Sequence, residues 1–169
     1  MPIANTDIVY RLSGGASNTD PNLALGGIIS STAIVDNTLN NLWDNVSGDE
    51  GAAGDIEYRC FYVRNSHATL TLQTPVIWVS SNTTSASDEV DIGVGTAAVN
   101  GTEQTVANET TAPSGVTFSH PTTKGTGLSL GSLPAGQHKA VWVRRTVTAG
   151  AGAIDANAYN ITVEGDSAA

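Results

Sequence analysis

Residues 133–147, Leu-Pro-Ala-Gly-Gln-His-Lys-Ala-Val-Trp-Val-Arg-Arg-Thr-Val, restrict the fold more than any other stretch. A Pro/Gly turn opens the run, and the Val, Trp and Thr that follow suit a pleated, half-buried surface. The pattern predicts a central β-strand. The same grammar recurs from residue 56 onward. Residues 56–65 read as a strand ended by Asn65-Ser66-His67, residues 68–72 alternate cleanly, and Pro75 introduces a strand over 76–80. Residues 90–94, 116–119, 128–130 and 158–164 supply further short strands, and Asn100-Gly101 is a type I′ turn signal joining two short strands. The Ser, Thr and Asn run over 80–87 reads as a loop. No βαβ spacing intervenes. The expected fold is all-β, an antiparallel β-sandwich of immunoglobulin-like type, with a jelly roll as second choice.

The first third of the chain obeys a different grammar. Residues 6–12 form a short β-like run suited to a sheet edge, and residues 13–22 are a cluster of turn formers. Leu23, Leu25, Ile28 and Ile29 then surround the pair Gly26-Gly27, which gives a segment that is adhesive when left uncovered. Residues 1–35 are therefore expected to form an extended N-terminal arm reaching across a neighbouring chain or onto a partner, and residues 36–169 the β-sandwich domain. Leu39, Leu42, Trp43 and Val46 fall at helical spacing, but the Asn content opposes a helix, so a short helix and an irregular first strand both stay open for 36–46. Ser47 and Glu50 match a capping box that the glycines beyond it limit to one turn.

Two strands are apolar on both faces. Tyr58, Cys60 and Tyr62 alternate with Phe61 and Val63, and Trp142 alternates with Val141 and Val143. A sandwich with one solvated face shows apolar-in, polar-out alternation, so the outer face here calls for a cover. A β-bulge that resets the register, the chain's own N-terminal arm and a neighbouring subunit are the three candidates.

Charge and composition narrow the function. The net charge of −9 opposes general affinity for nucleic acid, which requires clustered Lys and Arg. The start of the sequence lacks the pattern of a secretion signal, and no apolar run approaches the ~18 residues of a membrane-spanning helix, so synthesis in the cytoplasm is expected, with neither nucleic acid nor membrane as partner. Cys60 is the only cysteine, which rules out an intrachain disulfide. His67, His120 and His138 have no second ligand at metal spacing, and the acids Asp44, Asp49, Glu50 and Asp55 depart from a calcium-loop pattern. No nucleophile elbow or phosphate loop is present. The expectation is a non-enzymatic protein with no cofactor and no metal. Trp43, Trp78 and Trp142 would suit a sugar-binding platform only if exposed, and the strand context of Trp78 and Trp142 favours packing.

Residues 41–47, 54–65 and 133–145 resemble tailed-bacteriophage virion structural proteins, and most closely the small capsid decoration, or cement, proteins. The resemblance implies a protein on the capsid surface of the virion that clamps neighbouring major capsid protein subunits from outside and stabilises the shell. It also implies a homo-oligomer, dimer or trimer. The alternative is a phage tail or fibre module that binds a host-surface glycan. The residues expected at the interface are Leu23, Leu25, Ile28, Ile29, Trp142, Arg144 and Arg145.

Overall fold

The computed structural model describes residues 1–83 and 85–167. Thr84, in the expected loop over 80–87, and Ala168 and Ala169, at the end of the expected domain, lie outside the described residues. Strand β1 is Ile8–Leu12, helix α1 is Gly48–Ala53, β2 is Asp55–Asn65, β3 is Leu72–Ser81 and β4 is Asp88–Val94. The chain continues through β5, Leu128–Ser129, then β6, His138–Val147, and β7, Asn160–Ser167. These make a four-stranded sheet of order β1-β2-β6-β4 and a three-stranded sheet of order β5-β3-β7, both antiparallel. The two sheets pack face to face as a β-sandwich, and β6 is an interior strand of the larger one.

Between the sheets lies a core of Phe61, Val63, Val141, Val143, Val90 and Ile92 from the larger sheet against Leu72, Ile77 and Val79 from the smaller. The pairing of β2 with β6 runs without interruption from Asp55 opposite Val147 to Arg64 opposite His138. No bulge accounts for the doubly apolar strands. Their second face carries a core of its own, in which Cys60, Tyr62, Ala140 and Trp142 are buried with Val106 and packed against Leu25, Ile29, Tyr58, Val116 and Phe118. Segments from residues 13–30 and 95–118 thus form a third layer over the larger sheet. Burying side chains as large as Tyr62 and Trp142 contributes about 1.5–3 kcal/mol each.

The expected N-terminal arm therefore lies along its own domain. Beyond the end of β1, the exposed edge of β2 is continued by loop carbonyls: Cys60 N–H donates to Ala24 O at 2.7 Å and Tyr58 N–H to Glu109 O at 2.7 Å. The other edge of β1 is covered by the same segment, since Leu12 N–H donates to Thr32 O at 3.1 Å and Ile34 N–H to Tyr10 O at 2.9 Å.

Four local expectations are corrected. Residues 116–119 are not a strand; only Ser119 bridges to Ile92, with Ser119 N–H donating to Ile92 O at 3.0 Å and Ile92 N–H to Ser119 O at 2.9 Å. Residues 36–46 form turns rather than a helix or a strand, because Asn37 and Asn40 take left-handed backbone angles (φ 56° and 57°) that break both periodicities. Residues 68–71 are not a strand. Asn65 and His67 capture this backbone locally, with Asn65 Nδ2 donating to Leu70 O at 2.8 Å and His67 Nδ1 accepting from Leu70 N–H at 3.0 Å. Asn100-Gly101 does turn, with Asn100 at φ 62°, but no strand flanks it; Asn100 N–H instead ties the loop to His138 O at 2.7 Å. The capping box is present as expected, Ser47 N–H donating to Glu50 Oε2 at 2.6 Å and Glu50 N–H to Ser47 Oγ at 3.2 Å.

Candidate functional site

The third layer is held to the sheet by a small set of polar anchors. Ser13 Oγ donates to Cys60 O at 2.8 Å and accepts from Gly26 N–H at 3.0 Å. Tyr62 hydroxyl donates to Gly27 O and accepts from Glu103 N–H at 3.0 Å, so one side chain fastens both segments of the layer. Gly26 is the closest approach. It has φ +92°, and a Cβ there would overlap Gln104 O and stand 3.0 Å from the Trp142 ring. Burial alone would raise the Glu103 pKa, but hydrogen bonds from Ala97 N–H, Thr96 hydroxyl and Gln104 outweigh it and hold the carboxyl below the usual range.

The layer's outer surface carries a groove of about 540 Å³ flanked by Leu23, Leu25, Ile28 and Val106, with Gly14-Gly15 and Gly26-Gly27 at its walls. Leu23 and Ile28 are 57% and 53% exposed. Leu25 and Ile29 are half-buried because their inner sides rest on the second core. Of the seven interface residues expected from the sequence, Leu23, Leu25 and Ile28 meet around this groove, and Ile29 faces a neighbouring cleft.

The remaining three are placed differently. Trp142 is fully buried beneath Gly26 and has no surface to offer. Arg144 is half-buried, and binds Asp91 Oδ2 through Nε at 3.1 Å and Nη2 at 2.5 Å while stacking over Phe118. Arg145 is 6% exposed and points into the sandwich, where its Nε donates to Glu57 Oε2 at 2.6 Å and Nη1 donates to Asp44 O at 3.0 Å. A rim role for Arg145 is thereby overturned, since strand alternation directs it inward. Arg59 joins it there, ion-paired with Glu109, and both guanidiniums stack on Trp43 at 5.3 Å and 4.9 Å from the ring centroid.

Among the described residues, three groups of acids and histidine come within ligand distance of one another, and most of their members already have partners. Asp44, Glu57 and Glu109 surround the two guanidiniums, and Glu50 caps its own helix. Of the acids that sequence order collected into a loop, Asp44 is thus paired with Arg59 and Arg145 and Glu50 is engaged with Ser47. Glu89, Asp91 and His120 form the third group, in which Asp91 is committed to Arg144 and His120 Nδ1 lies 2.6 Å from Val90 O. Burial pushes the Cys60 thiol well above its usual pKa, so it is no nucleophile in the folded chain. The three tryptophans are all buried, which removes the exposed aromatic platform a sugar would stack on.

Sequence reasoning missed the anchors Ser13, Tyr62 and Glu103. Only the two Gly-Gly pairs signalled that backbone approaches something closely there. No helix among the described residues is long and apolar enough to cross a membrane. Comparison with protein-family models, curated proteins and solved structures finds no match to this chain.

Proposed function

We propose that this chain is a non-enzymatic structural protein of a phage virion, which docks on the outside of the capsid through the third-layer groove and clamps neighbouring major capsid subunits. The observation that carries the reading is the groove itself. Two large aliphatic side chains stand more than half exposed on an ordered loop layer, beside glycine-walled backbone that lets another chain come close. Such a surface suits a broad protein contact better than a small ligand, because its polar side chains are few. A reading as a glycan-binding tail or fibre module loses its main support with the burial of the three tryptophans.

The docking protein is proposed to act as a homo-oligomer, dimer or trimer, since copies gathered around a local symmetry axis of the shell engage several subunits at once. The test is cryo-EM of purified virions of the phage that encodes the chain. Density for the sandwich should lie on the outer shell, with Leu23 and Ile28 facing capsid. Density confined to the tail or fibres would refute the capsid assignment.

A further inference from the structure

The chain has sixteen acids against seven lysines and arginines, yet two arginines form no ion pair among the described residues. Arg59, Arg144, Arg145 and Lys124 are ion-paired, and Lys139 donates to Ala97 O. The other two are Arg11 and Arg64. They are also brought together. Arg64 on β2 is the register partner of His138 on β6 and of Val9 on β1, and Arg11 lies opposite Tyr62, two residues before Arg64 on the same outer face.

The three basic side chains line a cleft of about 350 Å³ walled by Ile29, Ser30 and Ser31 on one side and Asn100 on the other. Arg11 Nη1 donates to Ser31 O at 2.9 Å, whereas the Arg64 guanidinium has no hydrogen-bond acceptor among the described residues, and the Nε of both arginines is buried without one. The positive charges act on each other. Burial first, and the Arg64 charge second, lower the Arg11 pKa; the same two causes, in the same order, lower that of His138 against a hydrogen bond to the Gly101 backbone. Like charges held side by side in a half-buried cleft are the arrangement that an incoming anion relieves.

We propose that this cleft binds one carboxylate, seated between Arg11 and Arg64 with the His138 ring beside it. Planar guanidiniums match a carboxylate's two oxygens. A net charge of −9 disfavours a multiply charged anion at longer range, which selects the singly charged group. The source of the carboxylate is an Asp or Glu side chain of a docked protein. Residues 25–30 form a ridge with this cleft on the Ile29–Ser31 side and the aliphatic groove on the Leu25–Ile28 side, so a partner presenting an acid next to an aliphatic residue fills both. The choice of source rests on the docking function proposed above; the carboxylate chemistry does not.

The full-length chain, without any shell, should be titrated at constant ionic strength with acetate, inorganic phosphate and a blocked Leu-Glu-Leu tripeptide, following the His138 ring resonances. Acetate and the tripeptide should each give a saturable shift and raise the His138 pKa, with the tripeptide binding about tenfold tighter because it also meets the groove. Arg64→Gln should abolish the response, Arg11→Gln should weaken it at least tenfold, and Arg144→Gln should leave it unchanged. A response matched by chloride, or one that survives Arg64→Gln in a folded protein, would overturn the site, and saturation by phosphate alone would overturn the carboxylate assignment. Acetate binding as tightly as the tripeptide would overturn the partner side chain as source. Because no capsid enters this experiment, failure of the capsid reading leaves its outcome intact.

Discussion

Arg144 and Arg145 are adjacent in sequence and opposite in environment, because successive side chains of a strand point to opposite faces of the sheet. Arg144 holds a half-exposed pair with Asp91, while Arg145 holds a buried pair with Glu57. Removing one partner of a buried pair leaves an uncompensated charge, so Arg145→Ala should cost about 3–5 kcal/mol in urea unfolding. Arg144→Ala should cost under about 1 kcal/mol. Equal costs would contradict the buried placement of Arg145. Two carboxyls give the stability of the fold opposing pH dependences. Glu103 is held below the ordinary carboxylate pKa by its hydrogen bonds, so its contribution is present above that value and is lost as pH falls from it towards the lower folded value. Glu57 is raised, by burial against the pull of Arg145, so its contribution is present at acid pH and is lost as pH rises through the higher folded value. Glu103→Gln should therefore flatten the loss of thermal stability on acidification. Melting midpoints recorded between about pH 6 and about pH 3 check this, and a variant with the full wild-type acid slope would contradict the anchoring role given to Glu103.

At the scale of elements, the strands were legible because burial on the inner face imposes a period of two. Residues 55–65 and 138–147 were legible instead as runs rich in β-branched and aromatic residues bounded by turn formers, and they pair without interruption. The same two strands also signalled either a bulge or a cover over the outer face, and the structure shows the cover. The N-terminal arm was one of the covers the sequence left open, but the contribution of residues 95–118 was not legible, because they contain no periodicity and join the sheet through scattered backbone hydrogen bonds. Residues 36–46 failed for a related reason: helical spacing put Leu39 in line with Leu42 and Trp43, but two left-handed asparagines turn Leu39 out to 74% exposure while Leu42 and Trp43 enter the core. The layer's attachment depends on close backbone approach at Gly26. Gly26→Ala forces a side chain against Gln104 O and the Trp142 ring at a backbone angle that carries about 1–3 kcal/mol of strain for other residues. The layer should lift, and the buried Cys60 beneath it should react with a thiol reagent at least tenfold faster than in the wild type. Gly48→Ala meets nothing within 4 Å and should leave that rate unchanged. Equal Cys60 reactivity in the two variants would show that the layer is not pinned at Gly26.

For the whole molecule, where the seven residues expected at an interface lie in the fold was half legible. The aliphatics of 23–29 stood out because apolar side chains beside paired glycines have no place in a solvated loop, and Leu23, Leu25 and Ile28 do converge. The charged and aromatic members of the expected set could not be assigned from sequence, because Trp142 and Arg145 lie on opposite faces of β6 and both faces are covered, Trp142 by the third layer and Arg145 by the sandwich interior. Residues 1–30 contribute β1 and part of the second core, so deleting them would unfold the outer layer; exposed point substitutions are the informative changes. Leu23→Asp and Ile28→Asp should leave the melting midpoint within a few degrees of the wild type, since both side chains are more than half in water already. A clamp that binds assembled shell stabilises it by about 2.7 kcal/mol per site at a hundredfold excess over its dissociation constant. The most direct measurement is therefore the rupture temperature of stripped capsids to which wild-type protein or the Leu23→Asp/Ile28→Asp double variant has been added back. Wild-type protein should raise the rupture temperature and the double variant should not, whereas equal rupture temperatures for stripped and wild-type-decorated shells would contradict the clamp.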